Sequence, residues 1–233
     1  MSSALSSRND CGAAPDQRVR VWDLPTRLFH WLLALDVCAL IGSGWLGDME
    51  WHFRFGYMAL ALLVFRILWG FVGGHWSRFA SFIYSPRSLQ AYLCGKAPPD
   101  HHIGHSPLGA LSVFAVLAIL VVQVATGLMS DDQISAAGPL TRFVSGDTVD
   151  LATSWHAGPG QWIVIALVVL HVLAVLFYVL VQRKGLLRPM VTGDRMVHHR
   201  ARSSRDTAAS RTLALVIIAL TAALAWWMAS LQM

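Results

Sequence analysis

Charge is scarce in this chain, and so is cysteine. Only 13% of the 233 residues are Asp, Glu, Lys or Arg, and three are cysteine. So little charge leaves no room for a sizeable soluble domain, because a solvated surface needs far more. Cys11, Cys38 and Cys94 fall in a polar tail, an apolar run and a polar loop, which excludes a disulfide framework. The first twenty residues are Ser-rich and polar and hold no apolar core ahead of a small-residue site, so a cleavable secretory signal is not expected. Strict polar alternation is missing from the apolar runs, which excludes a membrane β-barrel.

What the chain has is hydrophobic length. Hydrophobic residues make up 55% of it and gather into five runs, 28–47, 52–74, 105–129, 156–182 and 212–231. About 20 residues of helix cross a bilayer's hydrocarbon core, and in lipid the backbone must satisfy its own hydrogen bonds. The expected fold is all-α: a transmembrane helical bundle. Of the 18 Lys and Arg, 15 flank one side of these spans; Arg54 and Arg142 lie opposite and Arg66 lies inside the second. Basic loops stay in the cytoplasm, so the N-terminus is expected on the cytoplasmic side of the membrane and the C-terminus on the outer side. The net charge of +5 follows from this topology and suits an acidic lipid surface. No nucleic-acid partner is expected. By composition the chain divides into a polar cytoplasmic tail, 1–20, a four-helix domain, 21–195, a basic linker, 196–211, and a fifth span, 212–233.

Four histidines sort by depth. His30 lies near the inner end of the first run and His52 opens the second at the outer end. His156 enters the fourth run from outside, and His171, fifteen residues on, is deeper by roughly 22 Å and rotated by about 60°. Both therefore address one bundle interior at two levels. The pairs are His52 with His156 outside and His30 with His171 inside. Facing imidazoles supply both axial ligands of a haem, and small residues such as Gly42, Gly44, Gly56, Gly109 and Gly127 leave room for a macrocycle. No C-x-x-C-H occurs, so any haem is held by ligation alone. Arg66, about 21 Å below His52, is a propionate partner for the inner haem, and Arg54 serves the outer haem likewise. Asp36 and Gln123 are polar residues inside spans, read as hydrogen-bonded between helices, with proton relay the alternative for Asp36. Asp100, His101, His102 and His105 lack the spacing of a metal site. His75, His198 and His199 carry no assigned chemistry.

These residues resemble the bacterial cytochrome b561 family, which includes the cytochrome b subunits of nickel-iron hydrogenases. The resemblance rests on V-W-D-L-P-T-R-L-F-H-W at 21–31, H-F-R-F-G-Y at 52–57, F-R-I-L-W-G-F-V-G at 65–73, G-H-S-P-L-G-A at 104–110, L-H-V-L-A-V at 170–175 and R-P-M-V-T-G at 188–193. It implies a four-helix core with two b-type haems on His30, His52, His156 and His171, passing electrons between a quinone, ubiquinone or menaquinone, and a redox partner. His105, within the family-like G-H-S-P-L-G motif, is placed to hydrogen-bond a propionate or quinone. One departure stands out: the His156 to His171 interval is one residue longer than the family's, with Gly158-Pro159-Gly160 inside it, and a distorted turn would absorb the extra residue. The outer surface, with Asp48, Glu50, Asp131, Asp132, Asp147 and Asp150, suits a basic periplasmic redox protein such as a c-type cytochrome. Two alternatives are superoxide oxidation at the outer face coupled to ubiquinone, and a haem-free transporter or assembly factor. The fifth span, ending in Trp226 and Trp227, is expected to anchor at the interface.

Overall fold

The computed structural model describes residues 17–96, 98, 103–134, 136–197 and 201–232. The runs fold into five helices long and apolar enough to cross a membrane. Helix α1, Leu24–Leu46, starts where Asp23 caps it by accepting from the Thr26 amide at 2.8 Å, with Pro25 in its first turn. It stops at Gly47, whose φ of 72° is a left-handed C-cap that glycine adopts without a Cβ clash. Asp48 then caps α2, Met49–Val72, so the two helices return antiparallel through the shortest of connections. After two single turns at His75–Ser77 and Phe79–Ser81, the short α3, Pro86–Leu93, leads toward α4, Pro107–Leu128, capped by Ser106.

The fourth spanning helix begins ten residues before His156. Ser145 caps α5, Gly146–Trp155, and the helix continues through a π turn, His156–Gly160, into α6, Gln161–Leu176, and a second π turn, Phe177–Val181. The extra turns are amphipathic, which hides them from a search for apolar runs. They dock on the chain after α4, where the Thr153 hydroxyl accepts from the Asp131 amide at 3.0 Å.

Residues 17–20, read from composition as tail, and the first of the linker are not loose. Strand β1, Gln17–Arg20, pairs antiparallel with β2, Asp194–Val197, in the register Gln17↔Val197 to Arg20↔Asp194, just after the short α7, Leu187–Thr192. Val19, Val21, Trp76, Ile103 and Val197 bury a small apolar plug against this ribbon, closing the His30 end of the bundle. Asp194 accepts from Arg18 and Arg20, and Asp206 bridges Arg20 and Arg211. Helix α8, Ala208–Ser230, opens with a Thr207/Ser210 capping box. It packs Ala214 and Ile217 against Phe29, Phe65 and Trp69 of α1 and α2, and so belongs to the core. At its far end Gln232 accepts from the Tyr57 hydroxyl at 2.6 Å and donates to the Ala137 carbonyl at 2.9 Å. Trp226 and Trp227 are exposed there, as interfacial anchors should be.

Asp23 ties this end together. Besides the Thr26 amide, its fully buried carboxylate accepts from the Trp69 indole at 3.2 Å, the Gly74 amide at 3.0 Å and the Ser77 hydroxyl at 2.7 Å. Asp23→Ala strands these donors and is expected to cost about 3 kcal/mol, read as a lower midpoint in detergent-solubilised unfolding, while Ser77→Ala costs less.

The ribbon predicts a pH dependence. Burial pushes the Asp194 carboxyl up, but hydrogen bonds and charge from Arg18 and Arg20 outweigh it and hold the group below the usual carboxylate range. Asp206 is likewise held low against burial, chiefly by Arg211. A carboxylate whose folded pKa lies below its unfolded value of ~4 contributes stability above that value and loses it as pH falls through the folded one. Hydrogen-exchange protection of residues 17–20 should therefore collapse on acidification below pH ~4, and Asp194→Asn should flatten the response.

Candidate functional site

The four histidines meet in two pairs. On α2 and the π turn of the fourth helix, the His52 and His156 rings lie with centroids 6.0 Å apart at 81°. On α1 and α6, His30 and His171 lie 6.4 Å apart at 56°. The antiparallel α1–α2 connection puts His30 and His52 at opposite ends of the bundle, and the long fourth helix reaches both levels.

A cavity of about 420 Å³ adjoins the His52–His156 pair, with Gly44, Gly56, Gly127 and Gln123 in its wall and Leu33, Val37 and Leu63 toward its floor. The glycines make space: a Cβ at Gly127 would stand 2.7 Å from Cε1 of His156, and one at Gly44 would stand 3.3 Å from the His52 ring. Each ring here is oriented from behind. Nδ1 of His52 lies 3.0 Å from the Leu40 carbonyl and Nδ1 of His156 lies 2.9 Å from the Gln123 carbonyl. A carbonyl only accepts, so both Nδ1 atoms carry the proton and both Nε2 lone pairs are left free to bind a metal.

The His30 level is built differently. Nδ1 of His30 is buried without a hydrogen-bond partner among the described residues, and so are Nη1 of Arg66 and Nδ1 of His105. The Arg66 guanidinium, 3% exposed, lies 4.7 Å from the Phe79 ring centroid. His105 packs between Trp22 and Phe82 at centroid distances of 4.6 and 4.3 Å. Burial, with added repulsion from Arg66 and His30, pushes the His105 imidazole down to about 3, so it is neutral. His105 thus stands within electrostatic reach of both Arg66 and His30.

Arg54 is the site residue that the structure removes from its expected place. It lies on the exposed side of α2, paired with Glu50 and stacked on Trp51, and it does not line the cavity. One helical turn away, Glu50 is the nearer anion for it. Asp36 is 1% exposed, with both oxygens unpartnered among the described residues, so the expected hydrogen bond to a neighbouring helix does not form. Gln123 does bridge helices: its amide donates to the His156 carbonyl at 2.8 Å. Asp23 was missed altogether by sequence reasoning, although an Asp two residues before a helix-opening Pro is a cap signal. His101, His102, His198 and His199 lie outside the described residues.

These residues fit a b-type haem. Iron stands about 2 Å from each imidazole nitrogen and each nitrogen about 1 Å from its ring centre, so two axial ligands put their centroids roughly 6 Å apart. Both pairs meet that spacing. The unpaired Arg66 and His105 donors suit an acidic substituent.

The family model for prokaryotic cytochrome b561 matches residues 21–193. The chain belongs to that family. As a cytochrome b561 family member it is a multi-pass membrane protein of electron transfer, and the family implies haem b. It is 29% identical over 214 residues to a probable Ni/Fe-hydrogenase B-type cytochrome subunit of Azotobacter chroococcum mcd 1, covering 76% of this chain and 88% of that protein. Proteins of the same description from Azotobacter vinelandii and Escherichia coli (strain K12) are 27% and 26% identical, over 76% and 75% of this chain and 88% and 89% of theirs. No solved structure matches.

For this cytochrome, Gly127→Ala must displace the His156 ring, whereas a Cβ at Gly42 meets nothing within 4 Å. Pyridine-haem assay of the purified variants should find less haem per chain in Gly127→Ala and wild-type haem in Gly42→Ala.

Proposed function

We propose that this cytochrome holds two b haems, one between His52 and His156 and one between His30 and His171, and carries electrons across the bacterial inner membrane between a redox partner and the quinone pool. The observation that carries this is the pair of ring spacings, 6.0 and 6.4 Å, at two depths of one bundle. When bound, each haem supplies one-electron exchange between ferric and ferrous iron. With an imidazole on each side, the paired histidines would leave the iron no open position, which would favour electron transfer over oxygen binding. The Leu40 and Gln123 carbonyls hold the His52 and His156 tautomers, so Nε2 of each would be the atom that binds the iron. Arg66 and His105 present donors to propionates or to a quinone headgroup at the His30 level.

The 15 basic residues flanking the His30 end support a cytoplasmic placement for that end and a periplasmic one for the His52 end. A partner approaching from the periplasm meets the acidic face around Asp131, Asp132, Asp147 and Asp150. The descriptions of the relatives favour the catalytic subunits of a hydrogenase for that place over a c-type cytochrome. Superoxide oxidation draws less support, because Arg54 is paired with Glu50 and no Lys or Arg among the described residues lines the cavity. A transporter is disfavoured by histidines that face one another in pairs instead of lining a path.

The test is a dithionite-reduced minus oxidised spectrum with pyridine-haem quantification of the protein, His156→Ala and His171→Ala. Two haems per chain in the wild type, falling toward one in each variant, are expected. A wild type without stoichiometric haem would refute the assignment.

A further inference from the structure

We infer that Gln123 is the positioning residue of the His52–His156 centre: it clamps the π turn that carries His156, taking His156 as an axial ligand as proposed above. Two hydrogen bonds of opposite sense join the same two residues. The Gln123 amide donates to the His156 carbonyl at 2.8 Å, and Nδ1 of His156 donates to the Gln123 carbonyl at 2.9 Å. This closed ring of bonds links the imidazole to the main chain of α4 and to its own main chain at once. The ring cannot turn unless the π turn moves.

The turn needs such a clamp. His156 and His171 are fifteen residues apart, which in a continuous α-helix sets them about 60° apart, whereas an interval of fourteen would set them about 40° apart on the other side. A π turn takes up one residue, so the helix beyond it keeps the phase of the shorter interval. Its cost is a weakened backbone. Gly158 leaves helical geometry at φ −100° and ψ −116°, and Pro159 has no amide proton to give. Lipid offers such a turn no water to hydrogen-bond. The Gln123 amide holds it from across the interface, at the His156 carbonyl. Gly160 lets it approach, since a Cβ there would collide with Oε1 of Gln123 and lie 2.7 Å from the Trp155 indole nitrogen. If the turn relaxed to α-helix, everything before it, His156 included, would swing by about 100° relative to His171.

Gln123→Met keeps nearly the same volume without the donor, and Gln123→Glu keeps the shape. Each is compared with the wild type by electron paramagnetic resonance of the oxidised low-spin haems and by redox titration, alone and combined with deletion of Gly158. Both substitutions remove the amide donor but keep the main-chain carbonyl of residue 123. With the turn released the imidazole shifts off that carbonyl, so both are expected to shift the resonance of the His52–His156 haem and to raise its midpoint potential, because an imidazole with a weaker Nδ1 hydrogen bond stabilises ferric iron less. The His30–His171 haem should not change. With Gly158 deleted the turn can close as α-helix, and Gln123→Met should add no further shift, a non-additive cycle. If Gln123→Met does not fold, Gln123→Glu decides. Two haems with wild-type resonances and potentials in the substituted protein would overturn the inference, as would equal shifts with and without Gly158. A wild type lacking haem at this pair would instead bring down the di-haem proposal and the role of Gln123 with it.

Discussion

Burying a carboxylate away from water is costly unless its oxygens are matched by donors, and Asp23 meets that condition with four. Two of them, the Thr26 amide and the Trp69 indole, belong to α1 and α2, and two, the Gly74 amide and the Ser77 hydroxyl, to the chain leaving α2. A slip of one residue between these helices would move every side chain by about 1.5 Å and turn it by about 100°. Such a slip would take His52 away from the Leu40 carbonyl. The ring spacings of the two histidine pairs are set by this anchor near one end and by the tight Gly47–Asp48 connection at the other.

The two levels of the bundle solve one problem by different means. Where the cavity opens between α1, α2, α4 and the fourth helix, backbone carbonyls hold the imidazoles and glycines clear the space. At the His30 end the imidazole has no such acceptor; a buried guanidinium and a neutral histidine stand near it, sealed by the β1–β2 ribbon and its apolar plug. Carbonyl acceptors raise the basicity of a ligand, and a nearby cation favours added electron density. The two histidine pairs therefore stand in different electrostatic surroundings. Helix α8 supports this arrangement as part of the core, through Phe29, Phe65 and Trp69.

Much of this was legible in the residues. Five hydrophobic runs, four histidines at two depths and the extra residue before His171 are one-dimensional signals, because helical rise and phase convert sequence number directly into depth and angle. Membership of the cytochrome b561 family follows from motifs spread over most of the chain. Three features were not legible. The amphipathic turns before His156 have no apolar run to announce them, and the partners of Arg54 depend on which way α2 turns its face. The pairing of β1 with β2 joins segments more than 170 residues apart, with no periodicity in either.

By itself, then, the sequence determined the fold class, the number and depth of the spans and the histidines that pair, since each depends only on local composition and on the regular geometry of one helix. Tertiary structure alone decided which backbone carbonyls orient the His52 and His156 rings, how Gln123 grips the π turn, and that Asp23 joins α1 to α2. Those are contacts between helices, and the rotation of one helix against another is fixed by packing and buried hydrogen bonds that no single segment contains.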